Sequence, residues 1–213
     1  MNRPMSVLNG VDAEAIEVLL GIHCSTESPK ILDCTHNTGK MWKGIPKDGL
    51  VRMDKDPSFP IDVCADFFFL PFEEEAFDVV VFDPPHLPSN AASKGSSKIW
   101  EKRYGITDDD RRRGDNVSSL FLPFLSEARR VLDQKGIILA KIADLTHNHR
   151  YQWQHIDFIN AVIGVDMTPC DMMVKCDPRA GRLQSSKWKT VKHLRKSHCY
   201  WIVVRKTKSC ERG

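Results

Sequence analysis

No hydrophobic run in this 213-residue chain approaches the roughly 20 residues that a bilayer-spanning helix needs. No CxxC pair occurs either. The seven cysteines, Cys24, Cys34, Cys64, Cys170, Cys176, Cys199 and Cys210, are odd in number and scattered, which argues against a zinc ribbon and against a disulfide framework. They read as reduced thiols. The first ten residues have no apolar centre and Arg3 as their one basic residue, so neither a secretory signal nor a transit peptide is expected. The expected location is the cytoplasm, a host's cytoplasm if a phage encodes the chain. A GxxxxGK[ST] loop is missing, which excludes a P-loop nucleotidase, and a good GxGxxG is missing as well. His147, His149 and His155, with Cys170 and Cys176, give no metal-ligand spacing, so no metal site is expected and these histidines read as surface or capping residues. No internal repeat is visible.

What is present is a composition close to globular averages, 41% hydrophobic and 28% charged, at a length that suits one domain with a sizeable loop. The net charge of +3 conceals an asymmetry. Residues 176–213 hold 11 of the 31 Lys and Arg but only two of the 28 Asp and Glu, so the rest of the chain is acidic. A basic block on an acidic chain suits contact with a polyanion, and a solvated basic tail accounts for it equally well.

Periodicity predicts a helix over 12–21, opening on Asp12 as its cap, with Ile16, Leu19 and Leu20 at helical spacing and Gly21 at its end. Short apolar runs bounded by turn formers predict strands over 30–33, 50–54, 77–83 and 136–141. Their near-continuous hydrophobicity suits a parallel sheet covered on both faces. Helices are expected over 120–132 and 151–163, giving β-α-β alternation. Two further strands, 165–175 and 198–205, predict an antiparallel hairpin on the edge of that sheet. Residues 87–119 form a polar stretch far longer than an ordinary connection and read as an active-site loop or a disordered segment.

In an open α/β sheet ligands bind at the carboxyl edge, so Asp33, Asp54 and Asp83, each closing a strand, would line one crevice. Asp33 opens Asp33-Cys-Thr35-His-Asn37-Thr-Gly39, in which Asn37 and Gly39 can adopt the positive φ of a loop that hugs a ligand. Asp54 follows 21 residues later, the usual distance from such a loop to the acid that holds two ribose hydroxyls. Asp66 sets a carboxylate beside Phe67, Phe68 and Phe69, where an adenine amino group would find an acceptor beside an apolar wall, although core packing explains most of the phenylalanines. The most specific segment is Asp83-Pro84-Pro85-His86 after a buried strand. Consecutive prolines hold the backbone extended, so that the Asp83 carboxylate and the Pro84 carbonyl make a rigid pair of acceptors for an exocyclic amine. His86 would stack on the ring bearing that amine, or act as a base.

Taken in order, Asp33-x-Thr35-x-Asn37-x-Gly39, Asp54, Asp66 and Asp83-Pro84-Pro85-His86 resemble the class I S-adenosylmethionine-dependent methyltransferases, in particular the amino-methyltransferases with a [DNS]PP[YFWH] motif. The resemblance covers residues 30–142. It implies a Rossmann-like α/β fold, a mostly parallel sheet with helices on both faces and a C-terminal antiparallel β-hairpin. It further implies S-adenosyl-L-methionine as cofactor, with residues 33–39 under its methionine part, Asp54 on the ribose and Asp66 with Phe67 at the adenine. Asp83, Pro84, Pro85 and His86 would then orient the target amine. Two departures stand out. In the cofactor loop, Thr35 and Asn37 occupy places where the family commonly has Gly, and Gly44 with Pro46 leave room for only about a turn of helix behind it; in the second motif, His86 replaces the commoner aromatic and stacks less well than Tyr.

The expected substrate is a nucleic-acid base, adenine or cytosine in DNA ahead of RNA. Arg182, Lys187, Trp188, Lys189, Lys192, Arg195 and Lys196 interleave positive charge with an aromatic, a composition suited to phosphate tracking and base stacking. Arg103 and Tyr104 in the long loop would close over the site. Three rivals remain: RNA as substrate, a catalytically inactive fold that only binds nucleic acid, and a small-molecule methyltransferase, which would leave the basic segment unexplained. No membrane partner is expected.

Overall fold

The structure is a computed structural model, and it describes residues 5–45, 48–85, 117–147, 150–177, 194 and 196–206. A short strand β1 (Val7–Asn9) leads into helix α1 (Asp12–His23). Strands β2 (Ile31–Asp33), β3 (Leu50–Asp54), β4 (Val63–Cys64) and β5 (Phe77–Phe82) follow. Among the described residues the only helical turn between β2 and β5 is a 3-10 turn, Lys40–Trp42, as Gly44 and Pro46 imply. Helix α2 (Phe121–Val131) runs directly into β6 (Leu132–Ile142), whereupon a small hairpin, β7 (Leu145–His147) and β8 (Arg150–Gln152), precedes α3 (Gln154–Gly164). Strands β9 (Thr168–Cys176) and β10 (His198–Arg205) complete the sheet.

The eight-stranded order is β1-β9-β10-β6-β5-β2-β3-β4. Strands β4, β3, β2, β5 and β6 are mutually parallel. The expected C-terminal hairpin is present at the edge of the parallel strands: β10 lies antiparallel between β6 and β9, and β1 adds outside β9 in parallel. Because β10 is reversed, its first residues reach the same edge as the carboxyl ends of the parallel strands, with Tyr200 opposite Ile142 and Trp201 opposite Lys141.

Helices cover both faces. On one, Ile16 and Leu19 of α1 with Trp42 pack on Ile31, Val79, Val81, Leu139, Trp201 and Val203. On the other, Phe121, Phe124 and Leu125 of α2 and Phe158 and Val162 of α3 pack on Leu32, Val80, Phe82, Ile138, Ala140 and Ile202. The strict alternation of these strand residues between two apolar layers is why the strands read as continuous hydrophobic runs. Phe82 and Phe124 stack with ring centroids 3.6 Å apart, and each buried ring of this size contributes roughly 1.5–3 kcal/mol. Pro123 is tolerated in α2 because it stands in the first turn, where its missing N–H has no intrahelical partner to lose.

Several boundaries differ from expectation. Strand β6 begins at Leu132, four residues before the expected 136, directly where the helix Phe121–Val131 ends. Val11, not Asp12, is the N-cap of α1, and the helix passes through Gly21 to His23; the Asp12 side chain is committed elsewhere, as described below. Tyr151 and Gln152 belong to β8, so α3 begins only at Gln154. Strand β9 starts at Thr168, three residues later than the apolar run beginning at Val165.

Candidate active site at the carboxyl edge

The loop after β2 is built around a fully buried carboxylate. Asp33 is 0% exposed; its Oδ1 accepts the Thr35 N–H (3.2 Å) and its Oδ2 accepts Trp42 Nε1–H (2.6 Å) and lies 2.8 Å from His36 Nδ1. Asp33 therefore shapes the loop from beneath, and neither His36 nor Trp42 was singled out in the sequence. The loop is also stitched to both neighbouring strands. Cys34 N–H donates to Val81 O on β5 (3.2 Å) and His36 N–H to Met53 O on β3 (2.9 Å). Burial, with the Asp33 charge beside it, holds the Cys34 thiol far above its ordinary range, so it is no nucleophile.

Asn37 and Gly39 have φ of 51° and 67°, the left-handed values expected of them. At position 39 a side chain would also collide, since a Cβ there would stand 2.6 Å from His36 Nε2. Asn37 N–H donates to Asp54 Oδ2 (2.9 Å) and Asp56 N–H to Asp54 Oδ1 (3.0 Å). Asp54 is half-buried, and that desolvation raises its pKa above the ordinary carboxylate value in spite of the two N–H donors. Asp66 accepts the Phe68 N–H at 3.0 Å. Phe67 packs edge-on against Phe82 and Phe124, at 5.3 and 6.2 Å.

At the end of β5 the Asp83 N–H donates to Thr35 Oγ1 (2.8 Å), which couples the β2 loop to the Asp-Pro-Pro segment. Pro84 is buried and Pro85 half-buried. The Asp83 carboxylate pairs with Lys141 Nζ at 3.0 Å, and Lys141 pairs in turn with Asp12 at 3.1 Å. Asp12 also receives Lys175 Nζ (2.9 Å) and the Trp201 indole N–H (3.3 Å). Burial alone would lower the Lys141 pKa, but the charges of Asp83 and Asp12 outweigh it and hold that pKa above the ordinary lysine value. Lys141 thus stays a cation and fixes one oxygen of Asp83. None of Lys141, Asp12 and Lys175 was expected here, although Lys141 closes a predicted strand and the strand-end rule that found Asp83 applies to it equally.

Of the residues read from sequence as functional, Asp33, Thr35, Asn37, Gly39, Asp54 and Asp83 come together, with Pro84, Pro85, Asp66 and Phe67 on the same edge. His86, Arg103, Tyr104, Arg182, Lys187, Trp188, Lys189, Lys192 and Arg195 lie outside the described residues. Lys196 is described, and it sits with its Nζ 3.9 Å from the centre of the Tyr151 ring. No metal-binding cluster occurs among the described residues, and none of their helices is long and apolar enough to cross a membrane.

No protein-family model and no curated protein matches the chain. Solved structures do. Similar in fold are 1,6-didemethyltoxoflavin-N1-methyltransferase of Burkholderia thailandensis, solved with its substrate and S-adenosylhomocysteine (TM-score 0.54, 12% identity, 92% of this chain and 79% of that one), and a putative methyltransferase of Bacillus halodurans (0.52, 14%, 92% and 100%). A third is a SAM-dependent methyltransferase of Methanosarcina mazei (0.52, 12%, 89% and 97%). The chain has the Rossmann-like fold of the class I S-adenosylmethionine-dependent methyltransferases.

Proposed function

We propose that the protein binds S-adenosylmethionine and methylates an exocyclic amine of a nucleic-acid base, adenine or cytosine in DNA ahead of RNA. The observation that carries this reading is the Asp83-Pro84-Pro85 segment at the end of β5, hydrogen-bonded through Thr35 to the loop that would hold the cofactor. Asp54 fits the cofactor's ribose: each oxygen takes one backbone N–H, and a carboxylate has about four acceptor positions, leaving capacity for two hydroxyls. The bound cofactor supplies an electrophilic methyl group on a sulfonium that leaves as a neutral thioether.

What this chain adds is alignment. The Asp83 carboxylate, held on one side by Lys141, accepts an amine N–H, and the Pro84 carbonyl is the second acceptor, so the nitrogen lone pair points along the transfer direction; as the new N–C bond forms, the N–H proton that the nitrogen must lose passes to the Asp83 carboxylate. No covalent intermediate is needed. The Burkholderia neighbour acts on a small molecule, and small-molecule methylation is the second reading; the basic block of residues 176–213 favours the polymer.

Transfer of a labelled methyl group to DNA, to RNA and to free nucleosides separates these readings. The expected result is transfer to polymer, lost by at least about 100-fold in Asp83→Ala while S-adenosylhomocysteine still binds. Near-normal turnover in that variant removes Asp83 from the reaction, and equal turnover on nucleoside and polymer favours a small-molecule enzyme.

A further inference from the structure

Beyond β6 the chain assembles aromatic rings that belong to neither apolar layer. Asp144, 3% exposed, is the anchor: the Tyr151 hydroxyl donates to its Oδ2 (2.9 Å), the His155 N–H donates to its Oδ1 (3.2 Å), and His155 Nδ1 lies 2.7 Å from the same oxygen. One buried carboxylate so fixes a ring from β8 and a ring from α3. His155 stacks on Tyr200 of β10 (4.3 Å, 22°), and His198 meets Tyr200 edge-on at 5.2 Å. Trp153 leans on Tyr151 at 4.3 Å and is 54% exposed. Only Tyr200 of these rings borders a core layer.

Position gives the cluster meaning. Tyr200 pairs with Ile142, next to the Lys141 that holds Asp83. The end of β5 and the start of β10 are two strands apart, roughly 10 Å. The polypeptide enters β10 from the basic stretch that carries Arg182, Lys187, Lys189, Lys192 and Arg195, and Lys196, its last cation, rests on the face of Tyr151. Tyr151 and His155, fixed by Asp144, brace Trp153 and Tyr200, and the exposed Trp153 ring, with Lys196 on the adjoining Tyr151, matches what unpaired nucleotides require: a flat apolar face for a base and positive charge for a phosphate.

We propose that Tyr151, Trp153, His155 and Tyr200, with Lys196, form a stacking platform for the unpaired bases flanking the target nucleotide. Asp144 is its positioning residue. The proposal rests on the nucleic-acid reading above, but it concerns binding and can be measured without turnover.

The probes are a fluorescent single-stranded DNA 12-mer and an abasic strand of the same length, titrated at several salt concentrations into the full chain. The wild type is expected to prefer the base-bearing strand. Trp153→Ala, at an exposed site whose removal spares both core layers, should weaken that strand's binding about tenfold or more and abolish the preference, with an unchanged slope against salt, whereas Trp153→Phe should restore most of the affinity. Lys196→Met should instead flatten the salt slope by about 0.7. Asp144→Asn, which keeps the side-chain volume, should lower the preference for bases without changing the slope. Equal affinity of wild type and Trp153→Ala, or no preference of the wild type for bases over abasic strand, overturns the platform. Binding that depends on Trp153 without any methyl transfer supports the platform and refutes the activity; methyl transfer to polymer with a Trp153-independent affinity does the reverse.

Discussion

Asp54 is the residue at which chemistry and acidity are most directly linked. Its buried position raises its pKa, so the native state holds this proton more tightly than the unfolded chain does. The cost of keeping it ionised is relieved as pH falls through the native value, and stability gained at this residue on acidification appears between the ordinary 3.8 and that higher value. Ligand binding has the opposite sign, because ribose hydroxyls donate to the ionised form. Calorimetric affinity for S-adenosylhomocysteine should therefore fall on acidification with a midpoint above 3.8, and Asp54→Asn should bind more weakly with that transition gone. An affinity indifferent to pH down to 3.8 removes Asp54 from the ribose. At this scale the sequence was informative where a residue type is demanded by geometry: Asn37 and Gly39 at positive φ, Asp54 and Asp83 at strand ends. It was silent on Asp33 as a wholly internal anchor, since its partners His36 and Trp42 take part only through the tight turn that brings Trp42 back beneath the loop. His155, expected as a surface or capping residue, is locked to Asp144 and stacked on Tyr200, contacts between segments far apart in the chain.

Among the elements, α2 secures the segment that carries Asp66 and Phe67. Arg130 donates to the Phe72 and Leu70 carbonyls at 2.7 and 2.8 Å, and Glu127 accepts the Leu70 N–H at 2.9 Å and pairs with Arg130 at 2.8 Å. Arg130 holds the Glu127 carboxyl below its ordinary value. With a lowered native pKa, this contribution is full above 4.5 and is lost as pH falls through the native value. Thermal melts of Glu127→Gln should accordingly show a smaller loss of Tm below pH 4.5 than the wild type, and an identical acid profile would contradict the latch. The parallel strands were legible because both their faces are buried, and β3 and β10 match their expected limits, 50–54 and 198–205. The edge strands β1 and β4 were not, for they are short and largely exposed and lack the buried apolar run that marks the equally short β2. The placement of β10 between β6 and β9 follows from the non-local pairing of His198–Arg205, which neighbouring residues cannot announce.

For the whole molecule, the sheet gathers on one edge groups that are far apart in sequence: Asp12 from the start of α1, Asp33 to Gly39, Asp54, Asp83, Lys141, Lys175 and the ring cluster of Tyr151, His155 and Tyr200. For the proposed chemistry, that convergence puts the Asp83 acceptor beside the loop that would hold the cofactor, and the same carboxylate takes the proton that the methylated nitrogen must lose. The most direct test is nucleoside mass spectrometry of DNA and RNA digested after incubation with the protein and S-adenosylmethionine bearing a heavy-isotope methyl group. The account predicts the label on the exocyclic nitrogen of adenine or cytosine, and its loss in Asp83→Ala; label on a ring carbon or a ribose oxygen, or an unlabelled polymer from a protein that binds S-adenosylhomocysteine, would contradict it.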